Sequence, residues 1–246
     1  MSRLRDWAGR LVPWLLAGLK FSKLFVTVGT MALSVVAYSF LFGWPYALGL
    51  VLLLLVHELG HYLAARRCGL PVGLPTFIPF VGAWVELKQQ PMDARTEAFV
   101  GIAGPVLGTL GALVCYALGH QYDSRLLLAL AYAGFFLNLV NLVPVLPFDG
   151  GRVTAAISPK LWLLGVPVVV LLFVQTWNPL LLIIALLALP QMLAAWRGEA
   201  PAHNAQYYTV PTAVRWQYGL LYGALLALLA TLTHDLHAQL PLTALG

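Results

Sequence analysis

The residues best suited to chemistry are His57-Glu58-Leu59-Gly60-His61. Four positions apart on a helix, the two imidazoles share one face with their Cβ atoms about 5–6 Å apart. That spacing lets both close on a single tetrahedral zinc. Glu58 is then poised to hold a metal-bound water and take its proton as general base. The motif ends an apolar run: residues 47–56 read Ala-Leu-Gly-Leu-Val-Leu-Leu-Leu-Leu-Val, without a polar side chain. Ionisable residues inside such spans are rare and usually functional. Hydrolysis needs water, however, and hydrocarbon excludes it, so the rest of the chain has to bring water to the motif.

A catalytic zinc takes three protein ligands and leaves one position open. His120, His203, His234 and His237 fall in expected loops or tails, as do Asp6, Glu86, Asp93, Asp123, Glu199 and Asp235, while Glu97 opens an apolar segment. Asp149 is left, within Asn141-Leu-Val-Pro144-Val-Leu-Pro147-Phe-Asp149-Gly150-Gly151-Arg152. Pro144 and Pro147 break helical hydrogen bonding and the glycine pair permits unusual backbone angles, so unwound chain is expected to carry this carboxylate into the membrane. His61 lies five residues before Arg66 and Asp149 three before Arg152. Five residues are roughly 7–8 Å of helix rise, so both half-sites approach the same membrane surface.

The elements that must position these groups are membrane helices. Of 246 residues 61% are apolar and 9% charged, against roughly 25% charged in soluble proteins. Apolar segments cover about 24–42, 45–65, 97–119, 126–143, 161–175, 178–196 and 216–233. With about 20 residues needed per crossing, five are comfortable, 161–175 is short and 178–196 is interrupted by Pro190. The last two read as a pair of spans, a kinked pair or a re-entrant turn around Trp177-Asn178-Pro179. If all seven cross, every Lys and Arg except Arg125 falls on one side, which predicts a cytoplasmic N-terminus and an active site near the cytoplasmic face. The net charge of +5 follows this asymmetry and implies a lipid bilayer, not nucleic acid. Residues 5–20, with Trp7 and Trp14, read as an interfacial helix instead of a cleavable signal. Cys68 and Cys115 are too few for a disulfide framework. The Pro- and Gly-rich stretch 70–90 ends in the alternation Ala83-Trp84-Val85-Glu86-Leu87-Lys88, read as a β-hairpin or re-entrant segment at the membrane face, with a plain interfacial loop as the alternative.

Together, His57-Glu58-Leu59-Gly60-His61 and Asn141-x-x-Pro144-x-x-Pro147-x-Asp149-Gly150-Gly151 resemble the site-2 protease family of intramembrane zinc metalloproteases, peptidase family M50. The likeness covers about residues 45–152, which would be its catalytic core, followed by C-terminal spans over about 161–234. It implies an all-α polytopic membrane protein of about six or seven helices acting as a single membrane-embedded protease domain, in a minimal form without a PDZ or CBS domain. It also implies one zinc per chain held by His57, His61 and Asp149, Glu58 as catalytic base, and Asn141 in contact with substrate or the oxyanion. Ala103-Gly104-Pro105 matches the family's Gly-Pro stretch, but Gly108 stands where the family often has Asn.

The expected function is hydrolysis of a peptide bond in or near a transmembrane segment of a membrane protein. Ala83, Trp84 and Val85 are candidates to pair with the unwound substrate as an added strand. Asn138 is either a second active-site amide that contacts substrate or an interhelical hydrogen bond. Arg152 is a substrate contact or, more simply, a lipid-interface anchor. Substrate choice is left to size exclusion or a regulatory membrane partner. The rival readings are a zinc transporter, which would need ligands through both leaflets, and a catalytically silent membrane-protein binder.

Overall fold

The computed structural model describes residues 23–177, 179–197 and 206–240. The interfacial helix expected over 5–20 lies outside them, as do Asn178, Glu199 and His203. The chain is an all-α polytopic membrane protein with one small hairpin. Its elements are α1 (Lys23–Phe42), α2 (Trp44–Arg67), β1 (Thr76–Ile78), β2 (Gly82–Trp84), α3 (Ala94–Gln121), α4 (Arg125–Asn141), α5 (Asp149–Ile157), a 3-10 turn (Pro159–Leu161), α6 (Trp162–Thr176), α7 (Pro179–Arg197) and α8 (Thr212–Gln239). Five helices, α1, α2, α3, α7 and α8, are long and apolar enough to cross a membrane, while α4 and α6 are shorter apolar helices.

Two spans differ from the sequence reading. The segment expected over 126–143 stops at Asn141 because the chain turns into the Pro144–Pro147 loop. By contrast, α7 runs unbroken through Pro190, since lipid offers its backbone no competing hydrogen-bond partner. With only Trp177 and Asn178 between them, α6 and α7 form a packed helical hairpin.

Local signals set the ends of the helices that carry the site. Gly43 and a proline in the first turn start α2. Its end is a Schellman turn: Leu70 N–H donates to Ala65 O and Gly69 N–H to Arg66 O, each at 3.0 Å, with Gly69 at φ 73°. Only glycine adopts that angle without strain, and buried Leu70 supplies the apolar contact that accompanies such turns. Asp93 caps α3 by accepting from Thr96 N at 2.7 Å. The chain between them makes an antiparallel hairpin, pairing Thr76 with Trp84 and Ile78 with Gly82. Three α1 hydroxyls on one helix face hold it: Thr27 donates to Pro75 O at 2.8 Å, Thr30 accepts from Phe77 N at 3.3 Å and Tyr38 from Phe80 N at 3.1 Å.

Helices α2, α3 and α4 pack together, and α8 closes over α4 and α5 around Phe135, Leu142, Val153 and Leu229. Arg215 ties α8 to α5, donating to Ile157 O at 2.9 Å and Tyr208 O at 3.0 Å. The Tyr207 hydroxyl donates to Glu97 at 2.6 Å. Burial and that bond push the phenol well above its ordinary range, so it remains a donor.

Asp149 is the first residue of α5, not a residue of unwound chain. The turns of residues 142–148 precede it, braced by Leu146 N–H donating to Gln191 of α7 at 3.1 Å and by the Tyr222 hydroxyl on Leu142 O. Gly150 and Gly151 have no left-handed angles. Their role is space: a β-carbon at Gly150 would overlap the Leu142 carbonyl, and one at Gly151 the Val145 backbone. Gly150→Ala should therefore displace Asp149 and weaken metal affinity by about tenfold or more. Gly223→Ala, whose β-carbon would meet nothing within 4 Å, should leave it unchanged; chelator competition on the purified proteins compares the two.

Candidate metal centre and active site

His57 and His61 sit on consecutive turns of α2, and α5 presents Asp149 to both. Asp149 Oδ2 lies 3.2 Å from each Nε2, and the two Nε2 atoms are 3.1 Å apart. All three side chains are buried, with 7–8% of each residue exposed. Among the described residues they are the one group of three His, Cys, Asp or Glu side chains whose ligand atoms come this close.

The far side of each ring determines which atom faces the centre. His61 Nδ1 is 2.8 Å from Val100 O; a carbonyl can only accept, so Nδ1 carries the proton and Nε2 a lone pair. His57 Nδ1 is 2.8 Å from Asn138 Oδ1. Asn138 Nδ2 donates to Gly134 O at 2.7 Å, which assigns Oδ1 as the acceptor and leaves His57 Nε2 unprotonated as well. Two imidazole lone pairs and a carboxylate oxygen thus converge in a buried space. A proton can bridge only one pair of them, whereas a tetrahedral cation serves all three. Zinc bonds of about 2.0–2.1 Å give tetrahedral edges of roughly 3.3–3.4 Å, close to the 3.1–3.2 Å found here. The donor set fits one zinc ion.

Close helix contact makes the arrangement possible. A β-carbon on Gly104 would overlap the His61 ring, and one on Gly108 the Asn138 amide. The glycine that departs from the family pattern is therefore the seat of the amide that orients His57.

A cavity of about 410 Å³ opens on the centre. Glu58, Asn141 and Asp149 line it, as do Ala83, Trp84 and Val85 from the hairpin and Leu180, Leu181 and Ile184 from α7. Glu58 is buried, 5% exposed. Asn141 faces the same cavity, with one amide hydrogen used on Leu137 O at 3.0 Å. Asn138 does not line the cavity; its amide is held between Gly134 and His57, so the substrate contact expected of it does not fit where it lies. Arg152 departs from the lipid anchor favoured for it: it lines the cavity half-buried, with a buried Nε that has no hydrogen-bond partner. Sequence reasoning missed Val100, whose backbone carbonyl has no residue-type signature.

Asn138→Leu removes the acceptor behind His57 and should weaken zinc binding about 10–100-fold, while Asn138→Asp, which keeps an acceptor, should lose less. Competition with a chromogenic chelator measures both; equal affinity in Asn138→Leu and the native protein would contradict the orienting role.

The profile of peptidase family M50 matches residues 45–124, which contain His57, Glu58 and His61. A zinc metalloprotease of Methanocaldococcus jannaschii is 30% identical over 110 residues, covering 43% of this chain and 32% of its own length. Rip3 of Mycobacterium tuberculosis is 31% identical over 158 residues, covering 61% of this chain and 39% of its own. A Synechocystis protein is 32% identical over 126 residues, 47% of this chain and 33% of the relative. The chain thus spans about a third of the length of the curated relatives it matches. With the paired histidines, the intervening glutamate and a buried aspartate completing the donor set, the chain is similar to peptidase family M50 over residues 45–124 and to these zinc metalloproteases over the stretches they share.

Proposed function

We propose that this protein is an intramembrane zinc metalloprotease that hydrolyses a peptide bond in or near a transmembrane segment of a membrane protein. The observation that carries the reading is one cavity shared by the His57–His61–Asp149 donor set, the Glu58 carboxylate and the β2 strand. Zinc bound by those three residues would polarise the scissile carbonyl and acidify water. Glu58 takes the proton of the attacking water as its oxygen bonds to the carbonyl carbon, then returns a proton to the leaving amine as the C–N bond breaks. Asn141, with an amide hydrogen to spare, steadies the developing oxyanion.

A transmembrane substrate must unwind before its backbone can be attacked. Strand β2 has β1 as its only strand neighbour among the described residues, so its other edge is free to pair with extended substrate beside the metal centre. Ala83 and Trp84, with Val85 directly after the strand, form that binding edge. The basic ends of the helices support a cytoplasmic N-terminus and a site near the cytoplasmic face of a cell membrane, with substrate choice aided by a membrane partner. A transporter would need donor sets at other depths, and the described residues hold none besides this one.

In proteoliposomes with a transmembrane reporter, Glu58→Gln should retain zinc and lose about 10²–10⁴-fold in turnover. Normal cleavage by a zinc-loaded Glu58→Gln protein would sink the mechanism. Val85→Pro, which disturbs the β2 edge without touching a zinc ligand, should raise KM severalfold at unchanged zinc content; an unaltered KM would rule out strand pairing.

A further inference from the structure

A second groove, of about 730 Å³, runs between α2, α3 and α8. Its two ends differ in chemistry. Arg67, at the end of α2, and Arg95, at the start of α3, stand together at the end where the hairpin joins these helices. Both are exposed, and neither forms an ion pair among the described residues. Tyr218 of α8 donates to Arg95 O at 3.3 Å, fixing that end of α3 against α8. Beyond the arginines the walls are apolar: Phe99, Val106 and Leu107 continue down α3 and Leu221 faces them from α8. The α3 residues keep helical spacing from Arg95 to Leu107, a path of about 18 Å. One leaflet of hydrocarbon is about 15 Å deep.

We infer that this groove is a binding site for one anionic glycerophospholipid, its phosphate between Arg67 and Arg95 and an acyl chain along the α3 face. The order of the lining fits that occupant: two unpaired cations, then an apolar α3 wall from Phe99 to Leu107 of about 12 Å, most of the depth of a leaflet. A transmembrane helix from another protein would match the apolar walls but leave both guanidiniums without counter-charge. Because α2 also carries His57 and His61, and Gly60 lines this groove, a bound lipid would brace the catalytic helix from outside the cavity. The inference is independent of the protease reading, and its test needs no turnover.

Native mass spectrometry of the full chain, released from detergent with equimolar dioleoyl phosphatidylglycerol and dioleoyl phosphatidylcholine, reads the site directly. The native protein should retain a single phosphatidylglycerol in roughly tenfold preference over phosphatidylcholine. Arg67→Gln/Arg95→Gln should bind the two equally, whereas Arg66→Gln/Arg125→Gln, with the same loss of charge elsewhere, should keep the preference. Leu221→Trp, which fills the groove and spares both arginines, should reduce retention of either lipid. Preference surviving in Arg67→Gln/Arg95→Gln, preference lost equally in the control pair, or displacement of the lipid by an equal concentration of soluble glycerol phosphate would each overturn the site.

Discussion

Three electron-pair donors have to meet where water is scarce, and the molecule depends on how they are held apart from protons. The decisive contacts are the two Nδ1 hydrogen bonds, His57 to Asn138 and His61 to Val100. They fix the tautomers and aim both Nε2 lone pairs at Asp149. Without them a buried imidazole would place its proton on whichever nitrogen gained a partner, and the nearest partner is the carboxylate itself. Orienting bonds of this kind typically govern metal affinity nearly as strongly as the ligands do.

That requirement propagates outward. The Asn138 bond needs α4 to lie over Gly108, and the His61 ring needs the bare backbone of Gly104, so α3 must pack on both neighbours at close range. Asp149 must approach from a fourth element at the same depth. The loop of residues 142–148 achieves this by ending α4 early and starting α5 at the carboxylate, with the glycine pair pressed against the loop's own carbonyls. In lipid such non-helical backbone persists only when protein satisfies it. Gln191 and Tyr222 contribute to that, each from a helix distant in sequence.

The same geometry leaves the donor set open on one side. The metal centre opens into a cavity walled by the hairpin on one side and α7 on another. Three hydroxyls of α1 fasten the hairpin, while α6 and α7 pack chiefly on each other. The open face of the metal-donor set therefore lies between a strand with a free edge and a helical pair only lightly tied to the core.

Much of the site could be read from residue order alone. His57, Glu58 and His61 share a single helix whose spacing carries their chemistry, and Asp149 stood out because acids inside apolar chain are rare. The hairpin was legible from its prolines and alternation. Orientation was not. Asn138 and Asn141 are the same residue type one turn apart on the same helix, yet one supports His57 and the other faces the cavity; that depends on the rotation of α4 against α3. Arg152 looked like an interface anchor because composition does not tell which way a side chain leaves a short helix. The Gly150–Gly151 pair suggested unusual backbone angles, when the need was room for a neighbouring carbonyl. Residue type and spacing singled out the three candidate donors, because those residues are local or singular. Only the tertiary packing decided which groups face them, because that depends on helix rotations and close approaches between segments far apart in the chain.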